Sequence, residues 1–214
     1  DRTLVVFSSD NGPWLVMREL GGSAGILREG KQFTFEGGQR VPTLAMWHGV
    51  IPEGSVYDDM ALMMDWFPTF AEIAGAEMPG DRDYDGESIL QVLEGTGHRP
   101  GREFLYYDGS ELQCYRHGDW KLKLPFEGYR GSAGKKAVPP HDTLLFNLKT
   151  DPGEQNNLYA EMPGKVDSMV ALMEAYRESK GSLPPSLVIG DPADHSHYVY
   201  LRARYGEGYW RADW

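Results

Sequence analysis

Two short apolar runs near the start of the chain each predict a β-strand. Residues 3–7 are largely apolar and rich in β-branched side chains, as expected of a strand that is covered on both faces of an α/β sheet. Residues 41–47 form the second run, with Pro42 at its start, where a strand tolerates proline. Between the two runs, a polar turn at 8–13 and glycine-rich residues up to 30 predict a long loop at the carboxyl end of the first strand. This edge is where open α/β sheets bind ligands.

Helical periodicity first appears at 57–75, where apolar side chains recur every three or four residues. We expect Asp58 or Asp59 to cap this helix and Gly75 to end it. Pro68 marks either a break or the first turn of a second helix within the segment.

The pattern then changes from helical periodicity to alternation. A short helix is expected at 88–93, and the glycine-rich connection 95–101 is the expected boundary. Beyond it the pattern predicts four strands, at 103–107, 112–117, 120–124 and 143–148. The alternation at 120–124 predicts one buried and one solvated face. An apolar stripe predicts a helix at about 163–179.

These elements divide the chain into three parts. Residues 1–98 are an α/β part, and residues 99–182 are a smaller α+β subdomain with a four-stranded antiparallel sheet and a packed helix. Residues 183–214 are an aromatic-rich tail that could pack on the body of the protein, form a dimer contact or stack on a sugar ring. Packing is favoured, because large rings are normally buried or bound.

Composition and charge disfavour several classes of function. The chain has 214 residues and a net charge of −11, which argues against nucleic-acid binding and against a polybasic membrane contact. No apolar run approaches the ~18 residues of a membrane span. The single cysteine, Cys114, excludes an intrachain disulfide and is expected to be buried in a strand. Because the chain starts without Met and runs directly into a strand, we expect it to be a fragment, a processed product or one part of a longer protein.

Three side chains in the first loop are candidates for chemistry. Asp10 and Asn11 offer a carboxylate and an amide oxygen, the hard donors that Ca²⁺ and Mg²⁺ prefer, although the same residues before Gly12 also suit a simple Asx turn. Lys31 follows the glycine-rich loop and is either a mobile positive charge for an anionic oxygen or a solvated surface side chain.

Taken together, three segments resemble the C-terminal half of a type I sulfatase. They are residues 7–13 (FSSDNGP), 21–31 (GGSAGILREGK) and 35–42 (FEGGQRVP). The resemblance is to the arylsulfatase A and N-acetylgalactosamine-6-sulfatase branch of the alkaline phosphatase superfamily. It continues in order to about residue 180, through residues 65–70, 85–90, 116–122 and 145–158.

The resemblance implies both a fold and a site. Residues 1–98 would be the C-terminal part of an alkaline-phosphatase-like sulfatase sheet domain. Asp10 and Asn11 would complete a Ca²⁺ site, with Mg²⁺ less expected, and Lys31 would contact the sulfate and the leaving oxygen. His117 lies on the hairpin that borders the substrate pocket in this family, and it either lines that pocket or lies on the surface.

The resemblance also implies what this chain lacks. The family's nucleophile is a formylglycine made in a Cys/Ser-x-Pro-Ser-Arg motif, which does not occur here. We therefore expect the nucleophile in the N-terminal half of the same protein, and the chain alone to be catalytically incomplete. The expected substrate is an arylsulfate or a sulfated sugar. A periplasmic, secreted or lysosome-like compartment is favoured, and the oligomeric state stays open, a homo-oligomer included.

Two other functions remain open from the sequence. One is a phosphodiesterase or phosphonate hydrolase of the same superfold, and the other is a non-catalytic, sulfatase-like binding module. Lys31 followed by the 36–38 segment favours the sulfatase.

Overall fold

The computed structural model describes residues 2–81, 83–108, 111–128 and 137–180. The predicted tail at 183–214 therefore lies outside the described residues. Among the helices in these ranges, none combines the length and the apolar character needed to cross a bilayer.

The two apolar runs form the strands β1, Val5–Ser8, and β2, Thr43–Met46, which pair in antiparallel fashion. The expected coverage of the first strand on both faces is wrong for the described chain. Val5 and Phe7 are exposed to 47% and 65%, because these two strands form a ribbon with no second layer over this face within the described residues.

The segment between the strands is not wholly irregular. It contains a 3₁₀ segment at Leu15–Gly21 and the one-turn helix α1, Glu36–Gln39. Residues 33–38 are all buried, although they connect exposed elements.

The predicted helix at 57–75 starts later than expected. A 3₁₀ turn at Met63–Asp65 leads into α2, Trp66–Ala74, so neither Asp58 nor Asp59 caps it. The helix α2 itself begins without a side-chain capping hydrogen bond. The Oδ2 of Asp65 accepts a hydrogen bond from the Leu62 N–H at 2.8 Å and so closes the 3₁₀ turn before the helix.

The two predicted breakpoints in this region are confirmed. Pro68 lies in the first turn of α2, where its missing N–H costs no helical hydrogen bond, and Gly75 ends the helix with a φ of 65°. The short helix α3 follows at Leu90–Leu93.

The second half has the predicted α+β architecture. One antiparallel sheet has the order β3-β4-β5-β6, with strands Glu103–Asp108, Glu111–His117, Trp120–Lys123 and Leu144–Asn147. Helix α4, Pro163–Ser179, packs on one face. This core is formed by Leu105, Tyr115, Leu122, Leu145, Val166, Met169 and Met173. Burial of each such large apolar side chain contributes about 1.5–3 kcal/mol.

The other face of this sheet corrects the prediction of a solvated side. Lys121 and Lys123 point away from the apolar core, yet they are only 0% and 2% exposed. Phe33 and Phe35, from the first half of the chain, cover this face and pack on Phe146. Cys114 is buried in β4, as predicted.

Candidate functional site

Two backbone hydrogen bonds join the predicted metal-binding loop to the Lys31 turn and to α1. The N–H of Gly12 donates to the carbonyl of Gly38 at 3.1 Å, and the N–H of Lys31 donates to the carbonyl of Pro13 at 2.9 Å. The approach requires glycine, because a Cβ on Gly12 would lie 1.8 Å from the carbonyl oxygen of Gly37. Segments that lie some twenty residues apart in the chain thus form one surface.

Asp10 and Asn11 lie on this surface with accessible side chains. Asp10 is exposed and Asn11 is half-buried. Ser9 fixes the turn, since its Oγ donates to the Asn11 carbonyl at 2.9 Å. Across the described ranges, neither the Asp10 carboxylate nor the Asn11 amide has a hydrogen-bond or ion-pair partner within the protein.

These two oxygen donors fit a hard cation as part of its ligand set. Ca²⁺ takes about 6–8 oxygen ligands. No group of three or more His, Cys, Asp or Glu side chains is placed to hold a metal within the described residues. Asp10 and Asn11 therefore suit Ca²⁺ only together with further oxygen ligands.

Lys31 lies in a turn of unusual backbone conformation. Its side chain is exposed, and its Nζ lies 5.9 Å from the centroid of the Trp14 ring. The non-glycine residues Glu29 and Gln32 on either side have φ values of 61° and 81°. Such left-handed conformations cost on the order of 1–3 kcal/mol each and persist only where the surrounding structure enforces them.

A buried group of charges lies beneath this turn, and we name Glu36, Arg116, Lys121 and Glu154 the Glu36 cluster. The Nζ of Lys121 lies 2.9 Å from Oε1 of Glu36 and 3.0 Å from Oε1 of Glu154. Arg116 Nη1 lies 2.9 Å from the other oxygen of Glu36. Two carboxylates and two cations balance in charge when all four groups are ionised.

The protonation of the cluster follows from burial and from these pairs. Burial disfavours the charge on Glu36, but the nearby Lys121 and Arg116 outweigh it and hold the pKa of Glu36 below its usual value. Burial likewise opposes the charge on Lys121, whereas Glu36, Tyr106 and Glu154 hold its pKa above the usual value. Burial raises the pKa of Glu154, which Lys121 offsets only in part.

The cluster is bonded directly to the backbone of the loop. Oε2 of Glu154 accepts a hydrogen bond from the N–H of Glu36 at 2.6 Å. The Arg28 guanidinium donates to the carbonyl of Glu154 at 2.8 Å and stacks over the Phe35 ring at 4.0 Å. The chain from Arg28 to Glu36 is therefore held at both ends by one residue, Glu154.

His117 lies in different surroundings from Lys31. It is half-buried at the end of β4, opposite Glu103 and Trp120 in the sheet. Its Nε2 lies 3.7 Å from the position that a Cβ on Gly101 would occupy. The loop that carries Asp10 and Asn11 is thus bonded through its backbone to the Lys31 turn, whereas His117 lies beside the connection into β3.

A second buried set of charges, the Asp65 cluster, lies near that connection. Asp65 is fully buried and pairs with Arg99 at 2.8 Å and with Arg102 at 3.1 Å. Both guanidinium groups also pair with the exposed Glu87, at 2.8 and 2.7 Å. This cluster ties the start of α2 to the segment before β3.

Sequence reasoning did not identify Glu36, Lys121 or Glu154 as a group. The sequence contains one local indication of this buried cluster. The two lysines of β5 alternate with core residues in a strand that is otherwise well suited to burial. Glu36 and Lys121 are 85 positions apart, so no local pattern connects them.

One protein-family model matches most of the chain. Residues 29–178 match the family model described as N-sulphoglucosamine sulphohydrolase, C-terminal. The match includes Lys31 and the whole Glu36 cluster, and it ends within α4.

Individual proteins agree with this match. Arylsulfatase A from Homo sapiens is 32% identical over 204 residues, which cover 89% of this chain and 40% of that protein. N-acetylgalactosamine-6-sulfatase from Sus scrofa is 33% identical over 213 residues, covering 89% of this chain and 41% of that protein. The crystal structure of PsFucS1 sulfatase from Pseudoalteromonas sp. superposes with a TM-score of 0.71 at 25% identity, over 82% of this chain and 37% of that one. The chain thus spans about two fifths of the length of these relatives.

Proposed function

Because the chain belongs to the sulfatases, through the family described as N-sulphoglucosamine sulphohydrolase, C-terminal, we propose that it forms the C-terminal portion of an enzyme that hydrolyses sulfate esters. The observation that carries the proposal is the backbone hydrogen bonding of the loop after Asp10 and Asn11, which joins Pro13 to Lys31 and Gly12 to α1. In our proposal, the hard oxygen donors of the first turn and the ammonium group of Lys31 act on the same bound sulfate.

This combination suits the charge that develops during sulfate ester hydrolysis. Negative charge grows on the sulfate and leaving-group oxygens, and correctly placed cations stabilise it more than they stabilise the substrate. In our proposal, the exposed ammonium of Lys31 binds these oxygens. The Asp10 carboxylate and the Asn11 amide hold Ca²⁺, which would supply a second positive charge at the same oxygens.

The nucleophile belongs, in this proposal, to the N-terminal half of the same protein and is a formylglycine. Two observations support a further half. The chain spans only 40% and 41% of the two relatives compared above. The face of the β1–β2 ribbon that carries Val5, Phe7, Leu44 and Met46 is also apolar and exposed. An apolar sheet face of this kind is normally covered by another layer.

The substrate class in this proposal is an arylsulfate or a sulfated sugar. The relatives include proteins named for both kinds of substrate, an arylsulfatase and an N-acetylgalactosamine-6-sulfatase. A sulfate group on a neutral ring presents the same oxygens to Lys31 in either case.

Hydrolysis assays on the full-length protein test the proposal. We expect sulfate release from a chromogenic aryl sulfate or from a sulfated hexosamine, and a loss of about 10²-fold or more in kcat/KM for Lys31→Ala, the scale of removing one oxyanion donor. Lys149→Ala, at another exposed lysine, is the matched control and should retain activity.

Three results would contradict the proposal. Hydrolysis of a phosphodiester but not of sulfate esters would indicate a phosphodiesterase. Binding of a sulfated glycan without turnover would indicate a binding module. Equal activity in Lys31→Ala and in the wild type would remove Lys31 from the site.

A further inference from the structure

The strained turn around Lys31 needs an explanation in the surrounding structure. Of the four non-glycine residues with positive φ in the described ranges, Glu29 and Gln32 flank the Gly30–Lys31 pair and Glu154 lies in the Glu36 cluster. Because an unfavourable backbone conformation relaxes unless its neighbours prevent it, some contact must hold each side of this turn.

The side of the turn before Lys31 is held through Arg28. The Arg28 guanidinium donates to the Glu154 carbonyl at 2.8 Å, and the Arg28 carbonyl accepts a hydrogen bond from the N–H of Gly37, also at 2.8 Å. Gly37 directly follows Glu36, whose own N–H donates to the Glu154 carboxylate. Glu154 is therefore bonded both to Arg28 and to α1.

The side after Lys31 is held through Phe33. The Phe33 N–H donates to the Gly30 carbonyl at 3.1 Å, and the Gln39 side chain donates to the Phe33 carbonyl at 3.0 Å. Gln39 belongs to α1, the one-turn helix that starts at Glu36. Both sides of the turn therefore end on α1, and α1 is fixed by the charges of the Glu36 cluster.

We infer that Glu36 and Lys121 are positioning residues for Lys31: their buried ion pair fixes α1, and through it the turn that carries the sulfate-binding ammonium. This inference rests on the proposed function. It extends the site from the exposed surface to a strand 90 positions further along the chain, with no contact between Lys121 and the substrate.

A buried ion pair at this place, where apolar side chains could also pack, is consistent with a positioning role for Glu36 and Lys121. A buried ion pair is rarely more stabilising than apolar side chains of similar volume. Its hydrogen bonds are directional, however, so they fix the carboxylate of Glu36 in one orientation that apolar contacts do not specify. A loop lysine acts on a reacting group only if it is held in the productive geometry.

A double-mutant cycle in the full-length protein tests whether Lys121 acts through Lys31. Lys121→Met is made in the wild type and in Lys31→Ala, and kcat/KM for sulfate ester hydrolysis is measured in all four proteins. In the wild-type background we expect a decrease between about tenfold and a hundredfold, the effect of displacing a reacting group by about 1 Å. In Lys31→Ala the same change should lower kcat/KM by less than about twofold, because the group that it positions is already absent.

The Asp65 cluster supplies the matched control. Arg99→Met also breaks a pair with a fully buried carboxylate, so it lowers stability without contacting α1. Any effect of Arg99→Met on kcat/KM should be the same in both backgrounds. Equal decreases from Lys121→Met in both backgrounds would overturn the inference, because a purely structural lysine behaves in that way.

A second variant covers the case in which Lys121→Met does not fold. Glu154→Gln keeps the shape of the side chain and an oxygen for the Glu36 N–H, but it removes the charge that pairs with Lys121. We expect it to lower kcat/KM in the wild type and to have little effect in Lys31→Ala. Suppose that Lys31→Ala lowers kcat/KM and that Glu154→Gln causes the same decrease with and without Lys31. The positioning role is then wrong, whereas the proposed role of Lys31 stands. If Lys31→Ala has no effect, the proposed role of Lys31 is wrong and the inference falls with it.

Discussion

The Nζ of Lys121 lies 2.9 Å from Oε1 of Glu36, and these side chains are 0% and 1% exposed. The pair joins β5 to α1 and so connects the second half of the chain to the predicted site loop. A charge pair placed so deeply strongly affects both stability and its pH dependence.

Loss of the buried ammonium should be costly. Lys121→Met leaves Glu154 without its ion-pair partner and Glu36 with Arg116 alone, so we expect the free energy of unfolding to fall by about 3–5 kcal/mol. Urea unfolding of the full-length protein measures this. Arg177→Met, at an exposed pair with Glu174 at 3.8 Å, is the control and should cost less than about 1 kcal/mol. Similar decreases in the free energy of unfolding of both variants would show that burial does not make the Lys121 pair more important for stability than an exposed pair.

The two glutamates of the cluster should affect acid stability in opposite directions. The folded-state pKa of Glu36 is lowered from 4.5, so its contribution is present above pH 4.5 and is lost as the pH falls through the folded pKa. Glu36→Gln should therefore reduce the loss of stability on acidification below pH 4.5.

For Glu154 the sign is reversed. Its folded-state pKa is raised from 4.5, so its contribution is present below pH 4.5 and is lost as the pH rises through the folded pKa. Glu154→Gln should therefore increase the loss of stability on acidification, the opposite of the effect of Glu36→Gln. Urea unfolding as a function of pH checks both variants, and a shift of the same sign in both would contradict the assignment.

Calcium affinity should depend on the carboxylate of Asp10. Asp10→Asn replaces an anionic ligand with a neutral amide, so we expect the affinity of the full-length protein for Ca²⁺ to fall by about tenfold or more. Isothermal titration calorimetry gives the affinity directly. Asp167→Asn, at an exposed position of α4, is the control. Unchanged calcium binding in Asp10→Asn would remove Asp10 from the proposed metal site.

The apolar face of the β1–β2 ribbon should be buried in the full-length protein. Phe7 is 65% exposed in this chain, and its burial by the proposed N-terminal half would contribute about 1.5–3 kcal/mol. Phe7→Glu should therefore lower the melting temperature of the full-length protein. Val56→Glu, at an apolar residue that is 84% exposed in a loop, should change it little. Equal melting temperatures for Phe7→Glu and the wild type would show that nothing covers this face.

The second half of the chain was predictable because its signals are local. The alternation in β3 to β6 and the apolar stripe of α4 each extend over a few residues, and the structure confirms these elements within one or two positions. The start of α2 was less predictable: the sequence suggests Asp58 or Asp59 as its cap, but the helix begins only at Trp66 and has no side-chain cap. The Asp65 carboxylate, directly before it, pairs with Arg99 and Arg102 from beyond the helix, which no local pattern indicates.

Local sequence patterns predict the strands and the main helix, and an ordered resemblance predicts Asp10, Asn11 and Lys31 as candidates for the site. The residues that lie beneath this loop become apparent only in the folded chain. The alternation in β5 shows that Lys121 and Leu122 point to opposite faces, but it does not show which segments cover each face. The solvated face that it predicts is instead closed by residues 33–36. A buried charge needs partners, and those of Lys121 are Glu154 and Glu36. Glu36 is 85 positions away in the chain, where no periodicity can indicate it.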